Sequence, residues 1–238
     1  MFLNGSYAGY ITIPARIVEQ NLYAVPDLLP LQHAALSEPL ACVLHGLEAL
    51  TIRPGDTVAV LGLGPIGLMF VRMCVLAGAR VLAAGRRTER LNLAAELGAE
   101  HVIDVDAHSD IVAAIRSLTD NCIGPVIVIE AVGAVEAWEH AISVVRKSGV
   151  VCLFGGCPEG TRVAVDTHRV HYDQLTLTGA FHHTPRTFRS ALELLESGSM
   201  KPELFIQQKA PLTDLPQILA GLANSSNTAV KIEINPWS

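Results

Sequence analysis

The sequence predicts an α/β fold in which a doubly wound parallel sheet forms the centre of the chain. Short runs rich in β-branched and aliphatic residues alternate with longer helical patterns between residues 57 and 181, the arrangement of repeated strand–helix–strand units. Several runs, such as PVIVIEA at 125–131, contain few polar residues, as expected of strands covered on both faces. A glycine-rich turn, GLGPIG at 62–67, separates the first strand from the helical pattern that follows.

The central elements follow one another as strand and helix. The turn RPGD (53–56) precedes the first strand, and Gly98 supplies the C-cap of the helix at 87–98. Right-handed crossovers then place the strands in one sheet. Strands are expected at 57–62, 80–84, 101–105, 125–131, 150–156 and 175–181, and helices at 65–78, 87–98, 108–119 and 135–147.

The two ends of the chain differ from its centre. Residues 5–20, GSYAGYITIPARIVEQ, predict extended chain, and VPDLLP (25–30) predicts a turn with a proline near each end. Helices are expected at 185–197 and 213–223, and a last strand at 229–234. We therefore divide the chain into residues 1–30, a central domain at 31–182, and residues 183–238, with both ends belonging to a second domain.

Composition excludes several classes of protein. The formal net charge of -6 argues against nucleic acid as a partner. No uninterrupted apolar window of about twenty residues predicts a membrane span, and the N-terminus MFLNGSYAGY lacks the regions of a signal peptide. Five cysteines without a CxxC motif argue against a zinc–cysteine cluster and indicate a reducing compartment, the cytoplasm.

The turn at 62–67 has the pattern GxGxxG between a strand and a helix, the context in which this motif binds dinucleotides. Gly62 allows the tight turn, Gly64 lets the backbone approach a pyrophosphate, and Gly67 lets the helix pack closely on the sheet. We expect amides around Pro65, Ile66 and Gly67 to donate to phosphate oxygens. The alternative is a glycine turn that only closes a βα unit.

The stretch AAGRR (83–87) lies where nucleotide-binding units carry an acidic residue, about twenty residues beyond the glycine turn. That carboxylate binds the ribose hydroxyls of NAD and would repel a 2′-phosphate. Gly85 leaves room instead, and Arg86 and Arg87 offer guanidinium groups suited to phosphate, which predicts NADP(H). Arg90, one turn later, is expected to cover the adenine. Alternatively, the arginines form only a solvated helix start, although a helix N-terminus disfavours cations.

Small residues also follow two later strands of the predicted sheet. Ligands of doubly wound sheets lie at the carboxyl ends of the strands, where glycines let a cofactor come close. Plain βα turns are the alternative explanation. The candidate cofactor contacts are Ala131, Val132 and Gly133 after one strand, and Phe154, Gly155 and Gly156 after the next.

Together these segments resemble the medium-chain dehydrogenase/reductase superfamily, in particular its zinc-type alcohol and polyol dehydrogenases, such as sorbitol and threonine dehydrogenases. The resemblance spans nearly the whole chain and implies a Rossmann domain, a GroES-like catalytic domain, zinc in the cleft, and hydride transfer between an alcohol carbon and nicotinamide. NADP-using members resemble the arrangement at Gly85, Arg86 and Arg87. The segments that carry it are GSYAGYITIPA, SEPLACVLHGLEAL, RPGDTVAVLGLGPIGLMFVRMCVLAGA, ERLNLAAELGAEHVIDV, SGVVCLFGG and LTLTGAFHHTP.

The sequence departs from the family in one respect. Family members carry a long segment ahead of GSYAGYITIPA, with a zinc-binding cysteine, a Gly-His-Glu zinc motif and often a four-cysteine lobe, and none of these motifs occurs here. We therefore expect the cofactor half of such an enzyme, with partial segments of the GroES-like domain and no bound zinc. A truncated gene model, a fragment and a natural remnant are all compatible with this pattern.

The resemblance also points to residues near the chemistry. Glu38 matches a carboxylate that faces zinc in full-length relatives, or else it is a favourable helix N-terminal residue after Ser37. His45 lies two turns further along and would reach the cofactor or a proton relay, unless it is a packing residue. A single glutamate does not hold zinc, which needs about three protein ligands.

The turn after the strand at 175–181 is placed by the resemblance at the nicotinamide and substrate. Phe181 would contact the cofactor, and His182 would contact the nicotinamide or the substrate. His183 and Thr184 would cap the helix that begins near Pro185.

Three functions remain open from the sequence. The first is an NADP(H)-dependent alcohol or polyol dehydrogenase, in which zinc polarises the alcohol oxygen of a small-molecule alcohol, polyol or carbonyl substrate and the cofactor carries the hydride. The others are a non-catalytic nucleotide-binding remnant and a zinc-independent reductase of the quinone reductase type. The family pairs the strand matching 175–181 with its copy in another subunit, so a homodimer or tetramer is expected.

Overall fold

A six-stranded parallel sheet forms the centre of the computed structural model, which describes residues 5–224 and 226–237. The strands lie in the order β3-β2-β1-β4-β5-β6, so the chain winds outward from β1 to one edge and then from β4 to the other. The predicted doubly wound fold is therefore confirmed. The strands are β1 (Thr57–Leu61), β2 (Arg80–Gly85), β3 (His101–Asp104), β4 (Ile127–Glu130), β5 (Val150–Leu153) and β6 (Thr176–Gly179).

The described part of the chain contains ten α-helices, and those between residues 65 and 144 cover the faces of the sheet. No helix in the described part of the chain is long and apolar enough to cross a bilayer. The helices are α1 (Ala15–Asn21), α2 (Leu31–Ala34), α3 (Ser37–Leu47), α4 (Pro65–Leu76), α5 (Thr88–Glu96), α6 (Ile111–Ser117), α7 (Val135–Val144), α8 (Thr167–Tyr172), α9 (Pro185–Glu196) and α10 (Leu215–Ala223).

Both faces of the four central strands, β1, β2, β4 and β5, are buried, which explains why these strands contain few polar residues. Ala59 and Leu61 of β1 belong to a core cluster that includes Ile115 of α6 and Val144 of α7. Because side chains alternate along a strand, Val58 and its neighbour Val60 point to the other face, and these two are also fully buried. There α4 packs against β1 and β2, and α5 against β2 and β3.

The described chain divides into two compact units: Glu38–Ala191, and Met1–Ser37 together with Leu192–Ser238. The second unit contains a two-stranded parallel sheet of β7 (Ile206–Pro211) and β8 (Lys231–Asn235). The expected last strand at 229–234 corresponds to β8. The domain limits placed at residues 30 and 182 stay predictions.

Three local predictions were wrong. Residues 15–20 form part of α1 instead of extended chain, since Pro14 has the extended backbone of a helix N-cap. Strand β7 and helix α8 were missed as elements, because IQQKAP and THRVHY are short and largely polar. The strands expected at 125–131 and 150–156 end earlier, at Glu130 and Leu153, because the backbone turns away into loops that side-chain hydrogen bonds hold.

Arg169 of α8 closes the C-terminal end of α7. Its guanidinium donates to the carbonyl oxygens of Ile142 at 2.9 Å, Ser143 at 2.8 Å and Val145 at 2.9 Å, and Nε donates to Asp173 at 3.2 Å. The last carbonyls of a helix have no intrahelical donor, and a cation there is also favoured by the helix dipole. One short, polar helix thereby fixes α7, whose N-terminal end follows the loop after β4.

Replacing Arg169 with Met should destabilise the fold while keeping most of the side-chain volume. A charge-assisted hydrogen bond contributes on the order of 1.5–3 kcal/mol to stability. The carbonyl oxygens freed by the substitution recover part of this by binding water. We therefore expect the free energy of unfolding to fall by about 2 kcal/mol. Urea unfolding measures the change. Arg162→Met, at an exposed position, is the matched control; equal stabilities of the two variants would contradict the role assigned to Arg169.

Candidate dinucleotide site

The carboxyl ends of the strands meet along one edge of the sheet, where two crevices open. Parallel strands direct all their C-terminal loops to the same edge, and the crevice of a doubly wound sheet lies where the strand order reverses. Here that point lies between β1 and β4, which are neighbours in the sheet. The loops after β1, β2 and β4 line the first crevice, and those after β5 and β6 line the second.

The glycine turn after β1 is as tight as its sequence predicts. Gly62 has a φ of 97°, and its N–H donates to Ala84 in β2 at 2.8 Å. A β-carbon at Gly67 would overlap the carbonyl oxygen of Gly62, so α4 approaches the turn only because position 67 has no side chain. The space around Gly64 is open. A close backbone approach by a ligand is therefore possible there.

One detail of the predicted amide cradle was wrong. Pro65 occupies the first turn of α4 and carries no N–H, so it cannot donate to a phosphate. The donors at this helix start are the N–H groups of Ile66 and Gly67. The helix dipole adds its positive end at the same place.

The first crevice, which we call the arginine crevice, has a volume of about 450 Å³. It brings together eight of the residues that the sequence nominated, from three separate segments. They are Gly62, Gly64, Gly85, Arg86, Arg87, Arg90, Ala131 and Val132.

The three arginines differ in their surroundings. Arg86 is 65% exposed, and its Nε lies 2.9 Å from Asp106 Oδ1. Arg87 precedes α5 with a φ of 71°, a left-handed conformation that is uncommon outside glycine. The Nε of Arg90 is buried without a hydrogen-bond partner, and burial, followed by the charge of Arg87, lowers the pKa of Arg90. Such a cluster favours an anion in the crevice.

Gly85 also has a packing role that its sequence context did not indicate. A β-carbon there would lie 2.6 Å from Cγ of Leu63, so Leu63 fills the space in that direction. Leu63 is 3% exposed. The glycine therefore lets the turn after β1 pack onto the end of β2, and any room for a phosphate lies on the side of the arginines.

The second crevice, which we call the β5–β6 crevice, has a volume of about 630 Å³. His182 has a φ of 63°, and its ring centroid lies 3.9 Å from that of Phe181. Phe181 is 81% exposed. The nominated residues that line this crevice are Glu38, Ile66, Phe154, Gly155, Gly156, Phe181 and His182.

Four nominated residues line neither crevice: Pro65, Gly67, Gly133 and His45. A β-carbon at Gly133 would lie 2.6 Å from the carbonyl oxygen of Gly156, so Gly133 allows the loops after β4 and β5 to touch. His45 Nδ1 lies 3.3 Å from Glu48, which also pairs with Arg186 at 2.6 Å. These contacts make His45 part of a local polar network centred on Glu48.

The turn before α9 is organised by Thr184. Its N–H donates to Thr187 Oγ1 at 2.9 Å, and its own hydroxyl accepts from the Thr187 N–H at 3.2 Å. This reciprocal pair is a capping arrangement, which confirms the predicted cap. His183 packs its ring 5.6 Å from Phe188 instead.

Zinc does not fit the side chains available near Glu38. Cys42 donates its S–H to Glu38 Oε1 at 3.3 Å, and burial, with Glu38 adding to it, raises the pKa of the Cys42 thiol to about 12. Zinc binds the thiolate, and its sites need about three protein ligands. No three His, Cys, Asp or Glu side chains within 5–224 and 226–237 are grouped to hold a metal ion.

Sequence reasoning missed Glu130, the last residue of β4. Its side chain is fully buried, and its Oε1 accepts from the N–H groups of Val132 at 2.6 Å and Gly133 at 2.9 Å. Burial raises the pKa of the Glu130 carboxyl, and these donors oppose the shift. The available signal was a lone charge in the apolar run PVIVIEA, because such a charge needs buried partners.

The sequence is similar to those of several curated dehydrogenases. The chain is 31% identical to D-arabitol-phosphate dehydrogenase of Enterococcus avium over 98% of its length, covering 65% of that protein. It is 33% identical to erythritol/L-threitol dehydrogenase of Mycolicibacterium smegmatis, covering 98% of this chain and 62% of the relative. The chain therefore spans less than two thirds of the length of these relatives.

Solved structures show the same relationship. A protein described as a zinc-binding dehydrogenase of Sinorhizobium meliloti, bound to NADP, superposes with a TM-score of 0.82 at 32% identity, covering 90% of this chain and 62% of that one. Alcohol dehydrogenase TADH of Thermus sp. ATN1 gives a TM-score of 0.86 at 30% identity, with 96% and 64% covered.

The family model for zinc-binding dehydrogenases matches residues 65–197, from the start of α4 to just beyond α9. That range is more than half of the chain and contains the arginine cluster and the loops after β4, β5 and β6. The chain accordingly belongs to the zinc-binding dehydrogenase family of medium-chain dehydrogenases.

Proposed function

We propose that this chain binds NADP(H) and forms the cofactor half of an alcohol or polyol dehydrogenase. The observation that carries the proposal is the arginine crevice, where the guanidinium groups of Arg86, Arg87 and Arg90 adjoin a glycine turn and a helix N-terminus. The buried, unpartnered Nε of Arg90 adds a donor without an acceptor. The Sinorhizobium meliloti structure, which is bound to NADP, supports this choice of cofactor.

Different residues of the site would bind different parts of NADP(H). Ile66 and Gly67 would donate to the pyrophosphate, and Arg86 and Arg87 would bind the 2′-phosphate. Arg90 would lie against the adenine. When bound, the nicotinamide supplies hydride transfer.

The β5–β6 crevice is the proposed place for the nicotinamide and a small alcohol, polyol or carbonyl substrate. Its lining combines Phe154, Gly155 and Gly156 with polar side chains that include His182 and Glu38. His182 would contact the nicotinamide or the substrate. The curated relatives, which act on arabitol phosphate, erythritol and threitol by their names, support the substrate class.

A non-catalytic nucleotide-binding protein is the second candidate. It is favoured by the missing metal ligands: the described residues bring no third side chain to the pair of Glu38 and Cys42. A zinc-independent reductase is less favoured because the family resemblance matches Glu38 to a carboxylate that faces zinc in full-length relatives. The cytoplasm is the proposed compartment in each case, supported by free thiols at all five cysteines.

The cofactor proposal predicts a preference for NADPH. By calorimetry, NADPH should bind at least about tenfold more tightly than NADH, since a charge-assisted contact to phosphate is worth roughly 1.5–3 kcal/mol. The double change Arg86→Ala with Arg87→Ala should remove the preference and leave NADH affinity nearly unchanged.

Arg162→Ala is the control for the loss of positive charge, because Arg162 is exposed and lines neither crevice. Equal affinities of the wild-type protein for NADPH and NADH would contradict the proposal. A double variant that weakens both cofactors equally would contradict the role of these arginines.

The small number of zinc-binding side chains near Glu38 predicts a low zinc content. Purified protein should hold far less than one zinc per chain by elemental analysis, because the pair of Glu38 and Cys42 offers too few ligands and the thiol is held protonated. It should also fail to oxidise polyols on its own. Stoichiometric zinc together with alcohol-dependent NADPH formation would overturn this expectation.

We further propose a dimer through β6, the outermost strand of the sheet. Thr176 donates to Gly149 of the preceding segment at 3.0 Å, and amide directions alternate along a strand, so the N–H of Leu177 points to the open edge. Pairing of two such edges would give a two-fold dimer with one continuous sheet.

Leu177→Pro should therefore convert the dimer to a monomer, since proline removes the outward donor. Light scattering at micromolar concentration measures the mass, and circular dichroism confirms that the variant is folded. Leu177→Val keeps the N–H and is the control. A wild-type monomer, or a dimer that survives the proline, would refute the proposed interface.

A further inference from the structure

A buried carboxyl lies next to the loops that follow β4 and β5. Glu130 is fully buried at the end of β4, in the middle of the sheet, between Leu61 of β1 and Leu153 of β5. It lines neither crevice. A buried carboxyl without a salt-bridge partner is costly, so its position calls for an explanation that packing alone does not supply.

Glu130 holds the loops after two strands at once. Its Oε1 accepts from Val132 at 2.6 Å and Gly133 at 2.9 Å in the loop after β4. Its main-chain oxygen accepts from the N–H groups of Phe154 at 3.0 Å and Gly155 at 2.9 Å in the loop after β5. Four donors from two loops therefore converge on one residue.

The loops above the carboxyl are in contact through their backbones. A β-carbon at Gly155 would overlap the backbone nitrogen of Gly133 and lie 2.6 Å from Glu130 Oε2. Trp138 Nε1 donates to the carbonyl oxygen of Gly155 at 2.9 Å and so fixes the same loop from α7. This junction leaves little freedom for either loop to shift relative to the other.

The two loops line different crevices. Val132 lies in the arginine crevice, whereas Phe154, Gly155 and Gly156 lie in the β5–β6 crevice. We propose that Glu130 is a positioning residue that sets the spacing of the two crevices and thereby favours a ligand that fills both, a dinucleotide, over a mononucleotide that fills one. The inference rests on the proposed function, because it assumes that the cofactor spans both crevices.

The test compares NADPH with adenosine 2′,5′-bisphosphate, which carries the 2′-phosphate half alone. Glu130→Val removes the acceptor for Val132 and Gly133, and should weaken NADPH at least about tenfold by calorimetry while changing the half-ligand by less than about threefold. Glu130→Gln keeps a carbonyl oxygen for the two N–H groups and should stay within about threefold of wild type for both ligands.

Hydrogen exchange gives a readout that needs no ligand. The amides of Val132 and Gly133 should exchange faster in Glu130→Val than in the wild type, and Glu130→Gln should restore their protection. Glu139→Val, an exposed position on α7, is the matched control and should alter neither exchange at these amides nor affinity.

Gly155→Ala disturbs the contact between the same two loops while Glu130 stays intact. If Glu130→Val does not fold, this variant tests the proposal in its place. Its added β-carbon would push the two loops apart, so NADPH should again weaken much more than the half-ligand. Equal losses for both ligands, or no loss in Glu130→Val and Gly155→Ala, would overturn the inference alone. A wild-type protein that does not bind NADPH would overturn the proposed function and the inference with it.

Discussion

The burial of a parallel sheet on both faces is the constraint on which the rest of this structure depends. Helices must cover each face, so the strands are connected by crossovers and all their carboxyl ends reach the same edge. Residues from distant segments, such as Gly62, Arg87 and Val132, become neighbours there for that reason. The candidate site is thus a direct consequence of the connectivity of the sheet.

Close backbone contact at this edge is the second requirement. Gly67 lets α4 approach the turn at Gly62, and Gly133 lets one loop rest on Gly156 of another. Such contacts bring N–H groups into fixed directions, and some of them need buried acceptors. Glu130 is one such acceptor, which explains a charged residue in the middle of an apolar sheet.

The charged groups around the site lie in two places, the arginine crevice and the pair of Glu38 and Cys42. The arginine crevice gathers three guanidinium groups of a kind suited to a phosphate, which supports the proposed role in holding a dinucleotide. Burial of Cys42, followed by its hydrogen bond to Glu38, raises the pKa of the thiol to about 12, so the described residues contribute little toward a metal. The proposed cofactor binding therefore does not depend on the side chains near Glu38.

The sequence by itself determined the sheet, its glycine turn and the positive charge after β2, because each depends on neighbours a few residues apart. Only the tertiary structure decided that Leu63 packs beside Gly85, that Arg86 pairs with Asp106, and that Glu130 joins two loops. Each of these contacts joins residues of different strands or of the loops that follow them. Packing across the sheet decides which residues become partners, and a local sequence pattern does not show which residues these will be.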